Sequence, residues 1–241
     1  MTDEKLWKFL ISLTVVFPAI AGLIRFQKVN TTYYPFLFYI FVSLLNELLV
    51  GLVLNHYSKE ARTVNWQVFN LFEGTILLIQ FYYWKLFERH KTLFLILLSI
   101  LTGGWIVENF IFSTIQAFNP VFLISCSFII VLLSIQNINH IIVNQNQSPL
   151  TRNAMFIICV ALVVYFIYNI FVFTLMAKGI NGMGKEFKMQ VFEIKVYINA
   201  LTNLLFGLAV CLIPGKMSGN DFFNRPDPKK AKPLMTNGIF F

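Results

Sequence analysis

Acidic side chains lie inside the apolar segments of this chain, and few folds can accept them there. Glu47, Glu73, Glu108 and Glu193 each interrupt a stretch of helix length that is otherwise apolar, and Lys195 lies close to the last of them. A charged side chain at the centre of a bilayer costs roughly 2.5–3.5 kcal/mol on insertion scales, so it usually faces the protein interior or a watery cavity. These five positions therefore carry most of the functional information in the sequence.

The composition indicates an all-α integral membrane protein. Of the 241 residues, 57% are hydrophobic, 12% are charged and 27 are phenylalanine, whereas soluble proteins carry about 25% charged residues. We assign the net charge of +8 to loops and a tail that face lipid headgroups. The predicted partner is therefore the lipid bilayer and not nucleic acid. Cys126, Cys159 and Cys211 fall in apolar segments, where thiols behave as small hydrophobes, so we expect no disulfide.

Seven segments are long enough to cross a hydrocarbon core of about 30 Å as helices. They cover residues 6–24, 34–54, 66–87, 92–114, 121–143, 154–176 and 190–213. We predict one seven-transmembrane-helix domain over residues 1–215 and a basic tail over residues 216–241 that need not be ordered. Residues 19–21, Ala-Ile-Ala, imitate a signal-peptide cleavage site, but the mixed charges before them and the length of the apolar run favour retention as the first span.

The distribution of lysine and arginine predicts an N-terminus outside and a C-terminus in the cytoplasm. The N-terminal side of the predicted bundle carries seven basic residues, and the other side carries eleven when the tail is included. Basic residues accumulate on the cytoplasmic side of membrane proteins. Four residues of the distal tail decide the orientation, because eleven minus four leaves seven on each side. We expect the membrane to be a bacterial cytoplasmic (inner) membrane.

Polar residues of five predicted helices converge on the outer half of the bundle. At a rise of about 1.5 Å per residue, Glu193 and the other buried polar groups fall at similar depths. Glu193 itself is two residues from Lys195, so it points to a different side of its helix. Helical spacing then predicts an outward-facing acidic cleft lined by Glu47, Glu73, Glu108, Tyr165, Asn169, Lys195, Asn199 and Asn203.

Three acids of this cleft face one lysine, and that imbalance has several interpretations. The excess carboxyl groups must be protonated, hydrated or matched by a bound cation. A purely structural ion pair of Lys195 with either Glu73 or Glu108 is the simpler alternative, and the sequence does not decide between the two acids. Asparagines in membrane helices often serve only as hydrogen bonds between helices, at about 0.6 kcal/mol each.

The chemistry of enzymes and of metal sites is missing from the predicted membrane segments. They contain no aspartate, and His56, His90 and His140 lie at helix ends on both sides of the membrane, too far apart to share one metal. No phosphate loop or nucleophile motif is present, so we predict no enzyme activity. Microbial rhodopsins also combine seven helices with a lysine on the last. Here Val191, not an aspartate, stands one turn before Lys195, and we predict no cofactor.

These features favour a ligand-binding or sensory membrane subunit that signals through a partner, because no soluble domain is predicted. Its ligand would be cationic or amphipathic. A small proton-coupled secondary transporter is the second hypothesis, and a structural accessory membrane subunit is the third. The basic tail, residues 216–241, is the predicted docking segment for a membrane or cytoplasmic protein partner.

Overall fold

The computed structural model describes residues 7, 10–54, 58–112, 114–115, 120–144, 149–176 and 185–215. Within these residues the chain forms seven long helices and no strand. We number them in chain order as α1 (Val16–Arg25), α2 (Tyr34–Leu48), α3 (Lys59–Tyr83), α4 (Lys91–Ile106), α5 (Val121–Asn144), α6 (Ala154–Met176) and α7 (Lys185–Leu212). A 3-10 turn precedes α1 at Leu13–Val15. Helices α2 and α4 continue as π-helices over Leu49–Val53 and Val107–Phe112.

The structure agrees with an all-α membrane protein. Five of the described helices are long and apolar enough to cross a membrane, over Thr31–Val53, Lys91–Phe112, Val121–Val143, Ala154–Met176 and Gln190–Leu212. The apolar helix that contains α1, Leu10–Arg25, is shorter, and α3 is long but carries four charged residues. Large apolar side chains lie on the outside of the bundle; Phe112 is 81% exposed and Ile24 is 75% exposed. Such a surface suits contact with lipid tails.

Helices α3 and α7 begin before the predicted spans, because a helix can start in polar residues that precede the apolar run. Helix α3 begins at Lys59 rather than at residue 66, because Ser58 caps it: the Ala61 N–H donates to Ser58 Oγ at 3.2 Å. It ends at Tyr83 rather than at residue 87, and Lys85 just beyond has a φ of 63°. This left-handed conformation is typical of helix ends. Helix α7 begins at Lys185, five residues before the predicted start at 190.

Six helices form a closed ring, and α4 packs against it from outside. Around the ring, α1 contacts α2, α2 contacts α3, and α3 contacts α5; α5 then contacts α6, α6 contacts α7, and α7 contacts α1 again. Helix α4 packs on α3 and α5. Two close contacts bring neighbouring helices together: α3 passes α5 at Gly74, beside Cys126, and α7 passes α1 at Gly207, beside Phe17. Side chains that point to the centre of the ring can therefore come from every helix except α4.

One end of the ring is closed by a junction between α1 and the C-terminus of α7. The Arg25 guanidinium donates to the carbonyl oxygens of Val210 at 2.6 Å and Ile213 at 2.9 Å, and also to that of Cys211. The first and last of these carbonyls span the end of α7 and the residue after it, where a helix has no later amides to bind its carbonyl groups. We call this group the Arg25 clamp. The predicted tail, residues 216–241, follows Gly215 and lies outside the described residues.

Candidate functional site

A polar cavity lies inside the ring, between α2, α3, α6, α7 and the 3-10 turn that precedes α1. Its volume is about 50 Å³. A buried water molecule needs roughly 10–15 Å³ measured in this way, so the cavity has room for about three to five waters or one small cation. The wall consists of Val15, Tyr39, Ile40, Ser43, Asn46, Glu47, Phe69, Glu73, Tyr165, Asn199, Asn203 and Phe206.

Glu73 is the most deeply buried acid of this wall. It lies on α3 with 4% of its surface exposed, and its Oε1 accepts a hydrogen bond of 2.8 Å from the Tyr39 hydroxyl of α2. The next residue, Gly74, faces Cys126 of α5, so this part of α3 is packed against α5 on one side and lines the cavity on the other. The close packing holds the Glu73 carboxyl group in a defined position at the centre of the bundle.

Glu47 and Lys195 supply the other charges near the cavity. Glu47 lies on α2, is half-buried, and is within hydrogen-bonding reach of the Ser12 hydroxyl. Lys195, on α7, lies with its Nζ 4.5 Å from the centre of the Phe173 ring, a cation–π contact. It interacts electrostatically with both Glu73 and Glu47. Among the described residues it forms no ion pair within 4.0 Å with either acid. Lys195 is therefore not part of the cavity wall, and it interacts with both carboxylates at longer range.

Three more predicted residues line the cavity, and a fourth lies beside it. Asn199 and Asn203 belong to α7, and the Asn203 side chain donates to the Thr14 hydroxyl at 3.0 Å, which joins α7 to the start of α1. Tyr165 of α6 also contributes to the wall. Asn169, one turn further along α6, is buried behind the Tyr165 hydroxyl. Its Oδ1 accepts no hydrogen bond within the described part of the chain.

Glu108 lies apart from this group, although the sequence pattern placed it in the same cleft. It is buried in the π-helical end of α4, and its Oε2 accepts a hydrogen bond from the Phe122 N–H. That N–H is one of the first amides of α5, which have no partner inside their own helix. Glu108 therefore caps α5, and a carboxylate there is also favoured by the helix dipole. The physical reason for the difference is that α4 packs outside the ring.

The sequence reasoning missed Tyr39, the hydrogen-bond donor to Glu73. A usable signal was present, because Tyr39, Ser43 and Glu47 follow one another at intervals of four residues on α2 and so share one helix face. Tyrosines near the ends of membrane helices usually mark the interface with water, whereas Tyr39 is buried inside the bundle. Ser43 is a further member of the wall, and its hydroxyl is within reach to donate to the Tyr39 oxygen, which leaves the Ser43 oxygen able to accept a hydrogen bond. That oxygen remains available to a ligand or a water molecule.

The geometry limits what this site can do. Ligand pockets for drug-sized molecules usually measure about 300–1,000 Å³, so the 50 Å³ cavity accepts a charged group of a few atoms and not a whole sugar or nucleotide. No cluster of three or more potential metal-ligating side chains occurs in the described ranges. The chain matches no protein-family model, and comparison with curated proteins and with solved structures finds no significant similarity. Its function must therefore be argued from the cavity itself.

Proposed function

We propose that this protein is a ligand-binding or sensory membrane subunit that holds a cationic group between Glu47 and Glu73 and acts through a partner chain. The observation that carries the proposal is the cavity with two acids in its wall and Lys195 as the neighbouring cation. When both carboxylates are ionised and Lys195 is protonated, one negative charge is unbalanced. Buried charges are costly unless paired, and a bound cation would balance this one.

The packing beyond the cavity favours binding over transport. Toward the Arg25 clamp, Phe36, Ile40, Leu77 and Phe206 are all at most 3% exposed. Phe36 and Phe206 pack edge to face, with ring centres 5.1 Å apart. A transporter needs a route from its site to both sides of the membrane, and these apolar side chains close one side. A sensor needs only the site and a helix that can respond to it.

A small proton-coupled secondary transporter is the second candidate. The observation in its favour is Glu73, a carboxyl group buried in the bundle that accepts a hydrogen bond from Tyr39. Intramembrane carboxyl groups of this kind carry protons in pumps and transporters. This function requires the apolar layer around Phe36 and Phe206 to open during the cycle. A structural accessory subunit, the third candidate, requires no ligand at all.

The proposal includes a topology and a route for the output. We place all seven helices across a bacterial inner membrane, with the N-terminus outside and the C-terminus in the cytoplasm. Helix α7 carries cavity residues Asn199 and Asn203 and ends at the Arg25 clamp, so a ligand that moves α7 would change the position of the tail that follows. A partner bound to residues 216–241 would read that movement.

Thermal unfolding in lipid nanodiscs tests the cation site. We expect ethylammonium chloride to raise the midpoint for the intact protein, whereas ethanol, its neutral analogue, should not. A ligand at 100 times its Kd stabilises a protein by about 2.7 kcal/mol. Glu73→Gln and Glu47→Gln should each remove this stabilisation. Glu88→Gln is the matched control, because Glu88 lies outside the ring with a side chain that is 68% exposed. An equal response in all variants, or none in the intact protein, would contradict the proposal.

Two further measurements separate the candidate functions. A partner that co-purifies in mild detergent with the intact chain, but not with a chain ending at Gly215, would support the sensory subunit. Proteoliposomes that enclose a pH-sensitive dye test the transporter. An ethylammonium gradient that drives proton movement in the intact protein, and not in Glu73→Gln, would move transport to first place.

A further inference from the structure

A second depression lies on the outer surface of the bundle, in the groove between α2 and α3. Its volume is about 300 Å³, and its wall is mostly apolar: Val42, Leu45, Asn46, Leu49, Asn65, Val68, Phe69 and Phe72. Several of these side chains are well exposed, among them Leu45 at 64% and Val68 at 49%. From Val42 to Leu49 the groove runs along two helical turns, or about 10 Å. We call it the α2–α3 groove.

The α2–α3 groove and the acidic cavity share a wall. Asn46 and Phe69 line both of them, so the two spaces are separated by the thickness of one side chain. The Asn65 amide donates to Asn46 Oδ1 at 2.8 Å, and this bond joins α2 to α3 at the boundary. The Asn46–Asn65 pair and the Phe69 ring thus lie between the charged cavity and the outer surface of the bundle.

We propose that the ligand is a single-chain amphipathic amine, with its ammonium group in the acidic cavity and its alkyl chain in the α2–α3 groove. This inference rests on the proposed function, since it names the ligand of the same site. The molecule reaches the cavity sideways from the bilayer, between α2 and α3, when Asn46 separates from Asn65. The acidic site and the apolar groove then bind the two ends of one molecule.

The acidic cavity suits the ammonium group of the ligand, and the α2–α3 groove suits its alkyl chain. An ammonium group has three donors and no acceptor, and the cavity offers two carboxylates together with the Ser43 oxygen, which can accept a hydrogen bond while its own hydroxyl donates to Tyr39. The 50 Å³ volume suits a primary ammonium better than a bulkier head. The groove lies between only two helices, so it accepts one hydrocarbon chain and not the two chains of a phospholipid.

The backbone next to the boundary has a feature that fits lateral access. Three residues after Asn46, α2 changes into the π-helix Leu49–Val53, and Leu49 itself lines the groove. π-Helical turns are rare and occur frequently at functional sites, where they mark an irregularity in the helix. Here the irregular turn follows the residue that must move, which would lower the resistance of this part of α2 to displacement.

Photo-crosslinking in lipid nanodiscs tests this arrangement. The probe is n-octylamine with a diazirine at the end of its chain, and the control probe is the corresponding octanol. For the intact protein we expect the amine to label residues 42–49 and 65–72 at least tenfold more than the exposed face of α4, for example Leu95 and Ile100. Glu47→Gln and Glu73→Gln should reduce that labelling about tenfold, whereas Glu88→Gln should not.

A substitution in the groove distinguishes this inference from the proposed function. Leu45 lines the α2–α3 groove and is not part of the cavity wall, so Leu45→Trp should fill the groove and leave the cavity wall unchanged. Each buried methylene contributes about 0.8 kcal/mol. An octylamine chain that loses the burial of two methylenes should therefore bind roughly tenfold more weakly. We expect Leu45→Trp to reduce octylamine labelling by about that factor and to leave the ethylammonium response unchanged.

The remaining outcomes contradict the further inference alone, or the further inference and the proposed function together. Equal labelling of the groove and the α4 face, or equal labelling by octanol, would mean that ordinary lipid covers the groove, and the inference would fail. If ethylammonium still stabilised the protein in that case, the proposed function would stand. If ethylammonium had no effect and groove labelling did not depend on Glu47 or Glu73, both would fail.

Discussion

Replacing Arg25 with methionine should loosen the C-terminal end of α7 while leaving the cavity in place. The Arg25 guanidinium donates to the carbonyls of Val210, Cys211 and Ile213, and methionine keeps much of the apolar stem but offers no donor. The last turn of α7 would then have no side chain to bind its free carbonyls. We expect the protein to remain folded, because the apolar contacts between α1 and α7 are unchanged.

The expected loss in the free energy of unfolding follows from the number and kind of hydrogen bonds that Arg25→Met removes. Hydrogen bonds to charged groups contribute about 1.5–3 kcal/mol each, but they are not additive when one cation makes all of them. A cation at a helix C-terminus contributes up to about 2 kcal/mol when partly buried, and Arg25 is half-buried. We therefore expect Arg25→Met to lower the free energy of unfolding by about 2–4 kcal/mol. Arg25→Lys keeps the charge without the planar fork, and should lose about half as much.

Equilibrium unfolding in mixed detergent micelles measures this loss, and hydrogen exchange locates it. Protection should fall in the last two turns of α7 and remain unchanged near Lys195. Arg152→Met is the control, since Arg152 is exposed and surface substitutions usually stay within about 0.5 kcal/mol. The reasoning is refuted if Arg25→Met falls within 0.5 kcal/mol of Arg152→Met, or if the lost protection is spread over the bundle.

Two further predictions concern packing and capping. A Cβ added at Gly74 would lie 2.5 Å from Cys126 Sγ, whereas one added at Gly103 meets nothing within 4 Å. Thermal unfolding should therefore show that Gly74→Ala destabilises by about 1–3 kcal/mol and that Gly103→Ala is neutral or stabilising; equal effects would contradict the packing. Glu108→Ala should remove the cap at Phe122 and lower stability by about 0.5–2 kcal/mol. The same variant should keep the full ethylammonium response, and its loss would place Glu108 in the binding site after all.

Much of the cavity wall could be predicted because the position of a residue along a helix gives both its depth in the membrane and the side of the helix on which it lies. Glu47, Glu73 and Asn203 lie at similar depths on faces rich in polar residues, and all three line one cavity. The pattern could not exclude Glu108, which lies at a comparable depth on its own helix. Depth and face describe one helix at a time, so they contain no information on which helices are neighbours.

The identity of the partner of Lys195 also required the structure. From sequence, Glu73 and Glu108 were equal alternatives, and the structure instead surrounds Lys195 with Glu73, Glu47 and the Phe173 ring. The sequence placed Glu47 in the same cleft as Lys195 but named only Glu73 and Glu108 as candidates for a direct ion pair with this lysine. The closed ring brings their polar faces together across the cavity.

By itself, the sequence determined the helical class, the approximate extent of each helix and the polar half of the bundle. These follow from local properties, since an apolar run of about 20 residues in a bilayer must satisfy its backbone hydrogen bonds within itself. Tertiary structure alone decided that α4 lies outside the ring, that Glu108 caps α5, and that Tyr39 donates to Glu73. Such choices depend on close contacts between distant residues, such as Gly74 with Cys126 and Gly207 with Phe17. Helix–helix packing in membranes depends on shape at these small residues, and the spacing of apolar residues does not encode that shape.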